Sequence, residues 1–115
     1  MKKLIEIKKE IANDWFKSLQ NKIVNQFQIL ENENNKENRK KNKIFTKREW
    51  KKNSKKEGGG TSYLLSGGEL FDKVGVNQST VSGQFEKAFR SKILGAKKNG
   101  KYWASGISVV AHMKN

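Results

Sequence analysis

Apolar residues recur at every third or fourth position from Leu4 to Leu30: Leu4, Ile7, Ile11, Trp15, Leu19, Ile23, Phe27 and Leu30. Ile5, Phe16 and Val24 widen the stripe. This period of about 3.6 predicts a long amphipathic helix over residues 2–30, with the stripe as core. Glu31 to Lys43, "ENENNKENRKKNK", holds no apolar residue and predicts a solvated loop. Ile44 and Phe45 are expected to begin a short strand. Trp50 is the one large apolar anchor in the lysine-rich stretch that follows, and the lysines around it read as solvated surface.

From Glu57 the pattern changes to glycine-punctuated, β-rich sequence. Thr61 to Leu65 predicts a strand, Ser66-Gly67-Gly68 a turn, and Leu70, Phe71, Val74 and Val76 a second strand that completes a hairpin. Phe85, Ala88, Phe89 and Ile93 are weakly helical in spacing over Gln84 to Leu94, "GAKKNGK" reads as a loop, and Tyr102 to His112 predicts a final strand. One long helix followed by glycine-broken antiparallel strands makes an α+β fold.

Composition narrows this picture. The 115 residues fit one domain. The apolar share is 34%, about 43% with the ten glycines, just under the ~45–50% of globular domains. No run approaches the ~18 apolar residues of a membrane helix. The start "MKKLIEIKKE" is basic like an export signal, but Glu6, Lys8, Lys9 and Glu10 break the apolar run, so no export signal is expected. The absence of cysteine excludes disulfides and thiolate metal sites.

The formal charge of +14 admits a small basic nucleic-acid-binding protein, because clustered cations release counterions from phosphates. A plainer source competes with that reading. Lys and Asn are abundant, Arg occurs only at 39, 48 and 90, and Pro is absent, which is the bias of AT-rich coding. An anionic small molecule needs no more charge than this.

Two stretches can carry chemistry. "EGGGTS", Glu57 to Ser62, can cradle an anion through backbone N–H groups. It lacks the Lys-Ser/Thr ending of a phosphate loop, so a structural glycine turn is the favoured reading. In the final strand, Ile107, Val109 and Ala111 share one face and Ser108, Val110 and His112 the other. Ser108 and His112 lie about 13 Å apart at ~3.3 Å per residue, too far for a nucleophile–base pair. They can instead line one elongated pocket on a sheet face. Read alone, His112 is a histidine at a strand end, hydrogen-bonded to backbone. No cluster of His, Asp or Glu has metal-ligand spacing.

Three stretches, in order, resemble the oxygen-dependent coproporphyrinogen III oxidases. The first is Trp50 followed by "GGGTS" (Gly58 to Ser62) and "YLL". The second is "GELFDKVGVNQSTVSG" (Gly68 to Gly83), which is similar to the family's G-x-V-F-E-K-A-G-V-N-x-S-x-V-x-G. The third is "YWASGISVVAHMKN" (Tyr102 to Asn115), similar to F-x-A-x-G-V-S-x-V-I-H-P-x-N-P. The match covers Trp50 to Asn115; the N-terminal helix agrees only in kind. Departures are a longer spacing from Trp50 to the glycines, Glu57 for a glycine, and Met113 for the proline after the histidine.

The resemblance implies an oxidative decarboxylation in which two propionates of coproporphyrinogen III become vinyl groups, with O₂ as oxidant. It implies a flat antiparallel sheet flanked by helices, a cytoplasmic homodimer, no required cofactor and no nucleic-acid partner. A divalent metal is sometimes assigned to the family. Ser108 matches the substrate-contacting serine, His112 the histidine assigned as metal ligand or pocket residue, and Asn115 the asparagine of the same motif. The family's proton donor or base belongs to a later P-x-x-P-x-x-H-x-N-x-R motif that this chain lacks. The expectation is therefore one partial domain, with a helix over 1–31, a basic polar linker over 32–56 and strands over 57–115. It is expected to be an N-terminal fragment that is inactive alone and of low autonomous stability.

Overall fold

The computed structural model describes residues 3–52, 58–86, 88, 92 and 100–115. Helix α1 spans Leu4–Glu37, and four strands follow: β1 Thr46–Lys51, β2 Gly58–Ser66, β3 Phe71–Gln84 and β4 Lys101–Met113. They form one sheet in the order β1-β2-β3-β4, each neighbouring pair antiparallel. Consecutive strands thus pair in chain order, as short connections favour. The α+β expectation holds. The expected helix over Gln84–Leu94 lies mostly outside the described residues, and of its described members Gln84 closes β3.

α1 continues well past the expected end at residue 31 because polar residues carry its last turns. Glu31 and Asn35, one turn apart, are fully buried. The Glu31 carboxylate accepts backbone N–H groups from Glu69 (3.0 Å), Leu70 (3.2 Å) and Phe71 (3.0 Å), and Asn35 Nδ2 (2.5 Å). Burial pushes the carboxyl upward, but the hydrogen bonds from Phe71, Asn35, Glu69 and Leu70 outweigh it and hold it below its ordinary 4.5. The helix ends in a Schellman arrangement: Lys40 N–H reaches Asn35 O (2.8 Å), Arg39 N–H reaches Lys36 O (3.4 Å), and Arg39 takes the left-handed conformation at φ 56°. The short strand expected from Ile44 and Phe45 is found one residue later as β1, inside the segment expected as linker.

The expectation that the whole apolar stripe of α1 is core is corrected. The helix faces the sheet along Asn13, Gln20, Val24, Phe27 and Glu31, a helical spacing that is largely polar. Val24 is buried and Ile23 and Phe27 pack beside it, whereas Leu4, Ile5, Ile11, Trp15 and Leu30 are exposed. The contact face is rotated away from the stripe because Gln20 binds the sheet through its side chain. Its Nε2 donates to Thr61 O (2.8 Å) and Val76 O (3.0 Å).

The core is small: Val24, Leu65, Phe71, Val74 and Val76, with Phe27 edge-on to Phe71 at 5.2 Å. It lies wholly between α1 and one sheet face.

Candidate functional site

Side-chain alternation divides the sheet into a helix side and an open side. Gln78 and Thr80 hydrogen-bond to Asn13 of α1, which fixes their parity as the helix side. Asn77 and Gly75 therefore face away from α1. Cross-strand partners share a face, so the register places residues of all four strands on the open side. One rung runs Arg48, Ser62, Asn77, Ser108. The next runs Thr46, Leu64, Gly75, Val110. A third runs Ser66, Lys73, His112.

A β-bulge completes the third rung. Phe71 pairs with Met113 and Lys73 with His112, so Asp72 is the extra residue. Phe71 and Lys73 would share a face in a regular strand. The bulge lets Phe71 enter the core while Lys73 stands opposite His112 on the open side.

Ser108 and His112 thus lie on one face, as alternation predicts. A shallow concavity of about 610 Å³ covers this area and includes Arg48, Ser62, Lys73, Asn77 and His112 in its wall. Its floor is Leu64, Gly75 and Val110. Ser108 stands beside the concavity, opposite Asn77, rather than in its lining. Asn115 lies past the end of β4, exposed and outside the concavity. Pattern reading missed Arg48, Lys73 and Asn77, since only the strand register brings them beside Ser108 and His112.

The glycine run is neither a turn nor an anion nest. Gly58–Gly60 lie within β2, paired to β1 and β3. A Cβ on Gly60 would overlap the backbone carbonyl oxygen of Gln78 and stand 2.9 Å from the Trp50 ring, so the close approach requires glycine. Glu57 lies outside the described residues. A second groove, of about 650 Å³, lies on the helix side along Asn13, Lys17, Gln78 and Thr80. There Asn13, Gln78, Thr80 and Ser105 satisfy one another by hydrogen bonds.

Among the described residues, no group of three or more His, Cys, Asp or Glu can hold a metal ion. His112 belongs to no such group among the described residues. No described helix is long and apolar enough to cross a membrane.

The arrangement suits a broad anionic ligand. It offers cations, hydroxyls and an amide around an apolar floor, and no acidic residue stands in the three rungs.

Comparison with known proteins agrees with the motif resemblance. The family model described as coproporphyrinogen III oxidase matches residues 11–115. The protein named oxygen-dependent coproporphyrinogen-III oxidase from Rickettsia typhi is 44% identical over 108 residues, covering 93% of this chain. Those so named from Rickettsia felis and Rickettsia bellii are 44% and 41% identical over 107 residues, again covering 93% of this chain. The chain spans 37% of the length of each of these relatives. No solved structure matches it.

Proposed function

Because the chain belongs to the coproporphyrinogen III oxidase family, we propose that it supplies part of the substrate-binding surface of an oxygen-dependent coproporphyrinogen III oxidase. One observation carries this reading: Ser108 and His112 face the same open side of the sheet, beside a floor edged by the exposed cations Arg48 and Lys73. Coproporphyrinogen III is broad, with an apolar ring system and four propionates at its rim. An apolar floor with polar rungs on both sides matches that distribution of charge.

In the reaction this reading implies, each reacting propionate loses its carboxyl group as CO₂ and a hydride equivalent from the carbon next to the ring. The remaining two carbons become the vinyl group, and O₂ takes up the hydride and a proton to give H₂O₂. The residues of the open face bind and orient. Hydroxyl donors at Ser62 and Ser108 and the amide of Asn77 hydrogen-bond carboxylates, while the floor holds the rings. As further proposals from the same resemblance, the chain works in the cytoplasm as part of a homodimeric enzyme.

Titration with coproporphyrin III, the coloured oxidised form of the substrate, tests this. Saturable binding is expected, weakened several-fold in Ser108→Ala and His112→Ala. Absence of binding, or binding indifferent to both substitutions, contradicts the reading. The same chain is expected to show no turnover of coproporphyrinogen III in air, because His112 is its one histidine and no acid stands in the rungs. Turnover above a protein-free control would overturn that expectation.

A further inference from the structure

Two lysines on or next to this sheet are neutralised: Lys47 pairs with Glu49 at 3.4 Å, and Lys114, just past β4, with Glu69 at 3.4 Å. Arg48 and Lys73 differ. Neither has a side-chain ion pair or hydrogen bond among the described residues. Both are exposed, and both line the open-face concavity.

Their positions are diagonal. Arg48 belongs to the Ser62–Asn77 rung on β1, and Lys73 to the His112 rung on β3. The two rungs are four residues apart, about 13 Å along the strands, and the two strands are about 10 Å apart across the sheet. The apolar rung of Leu64, Gly75 and Val110 lies between them, with Leu64 and Val110 exposed. Gly75 is not demanded by packing. A Cβ there would meet nothing closer than Asn77 Nδ2 at 4.0 Å, and its φ is not in the left-handed region. Its missing side chain leaves the middle of the floor open.

We propose that Arg48 and Lys73 bind two propionate carboxylates of the tetrapyrrole at opposite corners of the floor, and that Gly75 keeps the space where the ring system rests. This deepens the reading of the open face as a porphyrinogen-binding surface and rests on it. Arg48 presents a planar fork that takes a carboxylate with two hydrogen bonds; Lys73 supplies a point charge that follows a mobile propionate. The bulge at Asp72 is what aims Lys73 into this role.

The test is a titration of the full chain with two probes: coproporphyrin III and its uncharged tetramethyl ester. Arg48→Gln and Lys73→Gln are each expected to raise the Kd for coproporphyrin III about tenfold, the scale of one charge-assisted hydrogen bond. The double variant should lose about a hundredfold, since the sites are separate. Affinity for the ester should be unchanged in both. Gly75→Leu should weaken both probes while retaining the wild-type unfolding midpoint. Lys17→Gln, in the helix-side groove, should change neither. If wild type binds coproporphyrin III and Ser108→Ala weakens it while Arg48→Gln and Lys73→Gln stay within twofold, the inference fails and the functional reading stands. If wild type binds neither probe, both fail.

Discussion

The Phe71 backbone N–H donates to the Glu31 carboxylate at 3.0 Å, joining the last turns of the helix to the first residue of the strand that carries Lys73. With Leu70 and Glu69 also donating to Glu31, the β2–β3 turn is held by one buried anion. Glu31→Gln keeps the shape and removes the charge. It should cost about 1.5–3 kcal/mol, the scale of hydrogen bonds to a charged group. Urea unfolding followed by circular dichroism measures this; a cost under about 0.5 kcal/mol would show that the turn is held otherwise.

The same carboxylate sets a pH dependence. Its value in the folded chain lies below the ordinary 4.5, so its contribution is complete above 4.5 and is lost as pH falls through the folded value. Wild type should lose stability below pH 4.5 more steeply than Glu31→Gln. Parallel curves for the two proteins over that window would contradict the assignment.

Gln20 links the helix to the sheet by donating to Thr61 O and Val76 O. Gln20→Leu removes both bonds from a fully enclosed position and should cost about 1–3 kcal/mol. The readout is the urea midpoint at unchanged m-value. A stabilised variant would mean that the rotated contact face of α1 is set by packing alone.

The fit of Trp50 over Gly60 should not tolerate a larger residue. Gly60→Val is expected to destabilise by about 1–3 kcal/mol, the usual cost of overpacking. Because the backbone carbonyl of Gln78 is the nearer obstacle, most of this cost should persist in a Trp50→Ala background. Full relief in that background would place the strain on the Trp50 ring alone.

These contacts mark where the sequence pattern informs and where it stops. The helix, the hairpin and the final strand follow from apolar periods of about 3.6 and 2, and the parity of Ser108 and His112 from alternation alone. The end of α1 does not, because Glu31 is a polar residue whose burial depends on backbone donors some forty residues away, and Asn35 is buried by donating to Glu31 and to the Lys41 carbonyl. β1 is an exposed edge strand, "TKREWK", with no apolar alternation to signal it. The candidate site was half legible. Ser108 and His112 sit in a recognisable motif, whereas Arg48 and Lys73 join them only through a register that a single bulged residue shifts.

Electrostatic binding at an exposed face should respond to salt. Raising ionic strength from about 0.01 M to about 1 M shortens the screening length from about 30 Å to about 3 Å. Coproporphyrin III affinity should fall over that range and the tetramethyl ester's should not. Equal salt response of the two probes would remove the carboxylates from the account.

The central claim is that the sheet face turned away from α1 receives the tetrapyrrole. Backbone amide chemical-shift mapping during titration with coproporphyrin III tests it most directly. The largest changes are expected at Ser62, Leu64, Gly75, Asn77, Ser108 and Val110. Changes confined to Asn13, Lys17, Gln78 and Thr80, on the helix side, would contradict it.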